Sequence, residues 1–451
     1  VSELLEQARR LLERVADGEE MEVYLSRGAE NEVQAYQGEI ESLASSSSAE
    51  IGIRILVDGP QGARVGTAYA GSLDEEAIAE ALANARDNAR FATEDEFMAF
   101  ARPDGVAAMA MDLVDAGVTT TPLGDKIALA IELEKMVRSG DPRIRQVESA
   151  NYSDYLAEAA IATTTGIAAA HERSGAFLSV TAIASQGDED QTGWGLSVGR
   201  APGELSVEEA AADAIGRATR MLGAVKAPST KGVAVFGPRT AATLWSIIGG
   251  ALSGDAVVRG RSFFAGRLGE SVASELVTLI DDPTDMRHYG ASPYDAEGLA
   301  SRRNELIVAG RLQQFVYDTV SARRAGAVST GSAVRGGVSG SPSAGCRALQ
   351  VLPGELDQDE ILRRVGEGIY VESMTGVHSG VNPISGDFSV GITGLMVRDG
   401  VLAEPVREVT IASTLQRMLL DVLYVGADQE WLPGLAAGQT IAIDGVALSG
   451  S

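Results

Sequence analysis

The sequence predicts an α+β fold: two N-terminal antiparallel-sheet-plus-helix units followed by a C-terminal β-rich domain. Three observations carry this. The apolar period changes from helical to alternating within the first two dozen residues and later changes back. The order helix, strands, helix then recurs before residue 228, with little sequence in common between the two passes. Beyond that point, Gly-Arg and Asp-Gly turn signals sit between alternating apolar runs, as hairpins require. The expected units are 1–110, 111–228 and 229–451.

In the first unit, Leu4, Leu5, Ala8, Leu11, Leu12 and Val15 form a helical stripe over Ser2–Ala16. Glu20–Ser26, Glu32–Gln37, Glu41–Ser46, Ala49–Val57 and Ala63–Ala70 read as strands, with a turn at Asp58–Gly62. Ser72 or Asp74 caps a helix that ends near Ala92. Ala101–Pro122, with Pro103, Gly105 and Gly117, reads as a linker. In the second unit, Leu123–Ser139 is helical. Gln146–Leu156, Ala159–Thr165, Gly166–Arg173, Phe177–Gln186 and Gly193–Gly199 are strands. A capping box, Ser206-Val-Glu-Glu209, opens the closing helix, which ends at Leu222.

After a second linker, Lys226–Lys231, the last unit begins with a strand, Gly232–Phe236, and a helix, Arg239–Leu252. Hairpins turn at Gly310-Arg311 and at Arg398-Asp399-Gly400, and a late helix covers Ala412–Leu423. Ala325–Gly345 is rich in glycine and serine, carries Arg335, and reads as a mobile surface loop.

Composition narrows the function. The net charge of −26, from 63 acidic and 37 basic side chains, opposes binding to nucleic-acid phosphates and to anionic membranes. The plain reading of that charge is a soluble, self-repelling acidic protein; the other reading is a selector for basic partners. No run is long and apolar enough for a membrane span, and the charged N-terminal stripe is no signal peptide, so the cytoplasm is the expected address. The chain has three histidines, His171, His288 and His378, and one cysteine, Cys346. No two lie within a helical turn, so no short metal-binding motif exists. His288 reads as an exposed surface residue, His171 as a turn residue, and Cys346 as a small core or near-surface residue. His378 lies near Asp387 and several serines but without a Gly-x-Ser-x-Gly elbow, and reads as a hydrogen-bonded loop residue. The acid clusters Asp188–Asp190 and Asp281-Asp282 lack EF-hand spacing and read as solvated loops.

Four blocks stand out in order along the chain: Gly52–Gly66; Leu252-Ser-Gly-Asp255 through Glu270; Asp295-Ala-Glu-Gly298; and Asn382–Ser389 with the Asp399-Gly400 hairpin and Glu404–Glu408. Together they resemble the TldD/PmbA family, the "modulator of gyrase" metallopeptidases, over nearly the whole chain. In the family's catalytic branch, TldD, a helix carries His-Glu-x-x-x-His just before a Gly-Leu-Glu-Gly-Asp segment. The histidines hold zinc, the glutamate serves as general base, and a cysteine near the C-terminus is a further ligand. Here Trp245, Ser246 and Gly250 stand at those three positions, and Val425–Ser451 holds no cysteine. The resemblance is therefore to the metal-free branch, TldE or PmbA. It implies a non-catalytic subunit without a cofactor, paired with a zinc-bearing TldD-like partner in a chamber that cleaves unfolded or modified peptides. It also implies a homodimer of the isolated chain. Two other readings stand beside it: a regulatory peptide-binding protein with no peptidase partner, and a hydrolase with an unrecognised site.

Two further features bear on a site. Gly249-Gly250 either ends the helix or leaves room for another chain. Gly386, Asp387, Phe388 and Ser389 are candidate substrate-groove residues, because extended peptides add to exposed strand edges. The other reading of that run is an internal sheet strand.

Overall fold

A computed structural model describes residues 2–450. Helix α1 (Glu3–Leu12) is capped by Ser2, whose hydroxyl accepts the Leu5 N–H. Strands β1 (Glu19–Tyr36), β2 (Glu39–Gly59) and β3 (Gly62–Ala70) form a meander, and α2 (Glu75–Phe91) follows. A short helix α3 (Gly117–Thr120) leads into α4 (Leu123–Gly140), β4 (Ile144–Thr163), β5 (Ala168–Gln186), β6 (Glu189–Gly199) and α5 (Val207–Arg220).

The two expected sheet-plus-helix units are both present, but they share one sheet. Strand β1 pairs antiparallel with β4 from Glu22↔Thr163 to Ala35↔Ala150, giving the order β3-β2-β1-β4-β5-β6. The strands are also longer than the runs read from sequence. Strand β2 has 21 residues, which at the usual rise is about 70 Å. Its polar stretch stays in the ladder because backbone pairing does not need apolar side chains. Ser45 and Ser46 instead bond across to Asn31 and Glu30 of β1.

Met21, Val23 and Leu25 of β1 pack beneath α1 and α2, while Val33 and Ala35 farther along β1 pack with α4 and α5. Both helix pairs thus cover the same sheet face, at opposite ends. Glycines on the edge strands permit this. A Cβ at Gly66 would lie 2.0 Å from the Ala85 carbonyl of α2, and one at Gly195 would lie 1.9 Å from the Ala210 carbonyl of α5. The expected linker is strapped down by buried Ala101 and Leu113, and the Leu113 carbonyl accepts the Ser174 N–H.

The C-terminal domain opens with β7 (Val225–Lys226), β8 (Thr230–Phe236) and α6 (Pro238–Ala251). Its main sheet runs Val422–Val425, Ile441–Ser449, β8, Gly368–Thr375, Asp387–Arg398, Val401–Thr414, β7. Ile441–Ser449 also pairs with Val401–Thr414, which closes five of these strands into a ring. Asp399 and Gly400 both have positive φ (50° and 78°), as their hairpin turn demands. The late helix is only Leu415–Leu420, because Ala412–Thr414 remain paired with Asp387–Ser389. The glycine-rich segment is not a free surface loop. Ser332 and Ala333 are buried, and the Arg335 side chain is 2% exposed in an ion pair with Glu22.

Candidate functional site: an interdomain trough

The sheet face opposite the helices looks toward the C-terminal domain. Strand parity and the register Ser26↔Ala159↔His171 place Tyr24, Ser26, His171 and Arg173 on this face. Phe177 and Ser179 continue the same row of β5, and Trp194 and Leu196 extend it onto β6. Opposite lie α6 and the loop Leu432–Ala436. Two cavities of ≈ 460 Å³ and ≈ 440 Å³ occupy the space, and Gly434 and Leu435 line both. They are two ends of one trough.

The larger end carries the charged side chains. Arg335 pairs with Glu22 at 2.6 Å and lies 4.5 Å over the Tyr24 ring, while Arg54 pairs with the same Glu22 at 3.0 Å. Burial alone would raise the Glu22 pKa, but Arg54 and Arg335 outweigh it and hold the carboxyl below its ordinary value. Arg347 donates to the carbonyls of Tyr294 and Gly331 and to the Ser301 hydroxyl. Asp295 accepts backbone N–H groups from Glu297, Leu299 and Ala333. Burial, then Arg173 and Arg347, push His171 down to about 4, so it is neutral near pH 7. The smaller end is apolar. Phe177, Trp194, Leu196 and Leu432 line it, and Arg239 lies 5.0 Å over the Trp194 ring. A third cavity of ≈ 420 Å³ is lined by Gly249, Gly250, Cys346 and Leu435.

The sequence-named positions on α6 separate. Trp245 is fully buried in the domain core, and its indole N–H has no partner among the described residues. Ser246 lines the apolar end, its hydroxyl donating to the Ala242 carbonyl at 2.8 Å. Gly250 lines the third cavity, and a Cβ there would meet nothing within 4 Å. Five residues along a regular helix turn two side chains about 140° apart, which accounts for the split. Among the described residues, no group of three His, Cys, Asp or Glu side chains could hold a metal ion.

Gly386, Asp387, Phe388 and Ser389 do not line the trough. Phe388 is buried, and its strand is flanked by Val381 on one edge and by Val401–Thr414 on the other. His378 sits exposed on a short helix, Val377–Gly380, and Asp387 accepts from Ser385 rather than from His378.

Other sequence expectations need correction. His288 is buried, not exposed: its Nδ1 accepts the Gly290 N–H and its ring packs edge-on against Trp431. His171 lies within β5, not in a turn, because its neighbours continue the ladder with β4. Asp281 and Asp282 are buried, since Asp281 accepts the Arg347 and Ala348 N–H groups and Asp282 accepts from Thr284. Cys346 is a buried thiol, as expected. Arg173, Trp194 and the 432–436 loop escaped the sequence reading. The alternation Gly193-Trp194-Gly195-Leu196, with glycine under a helix and large apolar groups opposite, was the available signal.

A long antiparallel sheet facing a ring-closed β domain across a lined trough defines an interdomain-cleft protein. Family models described as PmbA/TldA metallopeptidase domain 1, central domain and C-terminal domain match residues 21–89, 118–222 and 229–450. The chain belongs to the PmbA/TldD metallopeptidase family. It is 27% identical over 442 residues to Metalloprotease PmbA of Escherichia coli O157:H7, covering 98% of this chain and 94% of that one. It is 29% identical over 297 residues to a Metalloprotease TldD homolog of Haemophilus influenzae, covering 63% of this chain and 61% of that one. In fold it matches TldE from Thermococcus kodakarensis with a TM-score of 0.87, 23% identity and 99% coverage of both chains.

Proposed function

We propose that this chain is the non-catalytic, TldE-like subunit of a metallopeptidase complex that cleaves unfolded or modified peptides. A TldD-like partner supplies the zinc and the general base. What supports this reading is the donor set on α6 at Trp245, Ser246 and Gly250, the positions that the sequence resemblance sets against the catalytic motif. Trp245 offers only a buried indole N–H, Ser246 is engaged with its own helix, and Gly250 has no side chain. None is a zinc ligand or a base near neutral pH, so the residues present do not fit the metal, and no chemical step is assigned to this chain. The match to PmbA across 98% of the chain, against 63% for the TldD homolog, supports the same branch. The trough supplies surface for an extended peptide.

Purified chain is expected to hold no stoichiometric zinc by elemental analysis and to leave unfolded peptides intact. Tagged chain recovered from its own cells is expected to bring down a His-Glu-x-x-x-His partner, and the pair to cleave. Stoichiometric zinc with peptidase activity in the isolated chain would sink the proposal. Repeated recovery of some other partner would favour a regulatory binding protein instead.

A further inference from the structure

We infer that the trough binds an extended peptide with a carboxylate seated at Arg173 and an apolar side chain against Trp194. The inference rests on the peptide-handling reading above and adds the class of peptide.

The two anchors belong to one surface. His171, Arg173, Phe177 and Ser179 alternate along the same face of β5 and pass from the larger cavity into the smaller one. Trp194 pairs with Thr181, eight residues of strand beyond Arg173 or about 26 Å, which an extended peptide spans with a similar number of residues. Trp194 lies beside this row and is 44% exposed. Leu432 and Leu435 face it, so an apolar side chain entering there loses water on several sides.

At the larger end the charges can be followed one by one. Arg335 is held by Glu22, and Glu158 is held by Arg27 at 2.6 Å. Asp295 is saturated by three backbone N–H groups. Arg347 spends its terminal nitrogens on two carbonyls and a hydroxyl, and its Nε has no partner among the described residues. Glu172 points to the other sheet face, since it alternates with Arg173 along β5. That leaves Arg173. It lies 5.9 Å from the Tyr155 ring and makes no ion pair among the described residues. A guanidinium at the mouth of a walled cavity with no anion is suited to a carboxylate, which it can meet through two parallel N–H bonds. The overall charge of −26 does not cancel this, because exposed charges farther than about 8 Å are largely screened at physiological salt.

Fluorescence anisotropy on the full chain tests the inference with three labelled, unstructured peptides sharing one leucine. The first has a free C-terminal carboxylate eight residues from the leucine. The second is its amide. The third is an amide with aspartate in place of that carboxylate. One or both acids are expected to bind about tenfold tighter than the neutral amide, and which one does so separates a chain terminus from an acidic side chain. Arg173→Gln should erase the difference, and Trp194→Ala should weaken all three. Arg173 is exposed and unpaired, so its variant should fold, which thermal melting checks. Equal binding of acids and amide, or a difference that survives Arg173→Gln, overturns the inference and leaves peptide handling standing. If no peptide binds the wild-type chain, both fall.

Discussion

Glu297 shows how strongly position alone changes a side chain's chemistry. It is buried, and among the described residues its carboxyl accepts from the Thr319 N–H and hydroxyl. Burial, then the nearby Asp295 and Asp318, push its pKa up from 4.5 to about 8. Between those values the unfolded chain is ionised while the folded side chain keeps its proton. Stability must therefore fall as pH rises through that window. Glutamine can accept the same two bonds and cannot ionise. Glu297→Gln is expected to match wild type below about pH 4 and to exceed it by at least about 1 kcal/mol at pH 8, read from urea midpoints. An advantage independent of pH would show that Glu297 is ionised in the fold. Nothing in the local sequence signals this. Asp281 and His288 likewise looked like surface residues, because the N–H groups that accommodate Asp281 come from positions 347 and 348. Burial of a polar side chain depends on donors distant in sequence, and the amphipathic pattern does not record them.

Elements were more legible than residues, though their lengths were not. The stripes of α1 and α5 and the Asp399-Gly400 turn were visible because helix period, capping and positive φ are written locally. The joining of two units into one sheet was not, because β1 and β4 pair through backbone groups whatever their side chains. Helix α6 offers a test at this scale. Its adjacent glycines face different surroundings: a Cβ at Gly250 would meet open space, whereas one at Gly249 would lie 2.1 Å from a Leu349 methyl. Gly250→Ala should therefore stabilise the chain by up to about 1 kcal/mol through helix propensity. Gly249→Ala should gain less or lose, since Leu349 must move within a packed core. Chemical denaturation of the two variants compares them directly. Equal effects would mean that α6 does not pack against Leu349 as described.

At the scale of the whole molecule, the trough exists only while the N-terminal sheet and the C-terminal domain hold together. Glu22 is central to that junction. It lies on β1 between Arg54 of β2 and Arg335 of the glycine-rich segment, all three nearly without exposure. Removing the carboxylate would leave two guanidiniums buried together. Loss of one partner from a buried ion pair costs about 3 to 5 kcal/mol. Glu22→Gln should lower the urea midpoint accordingly, and adding Arg335→Met should recover part of the loss by removing one stranded charge. The pH dependence has the opposite sign to that of Glu297. The folded pKa of Glu22 lies below its ordinary 4.5, so its contribution is present above that value and disappears as pH falls through the folded one. The gap between wild type and Glu22→Gln should therefore be widest near neutrality and close in acid. A gap that persists unchanged to pH 3 would mean that Glu22 does not join the two domains as an ion. In that case the polar wall of the trough would owe its shape to packing alone, and Arg335 would be free to answer a bound carboxylate beside Arg173.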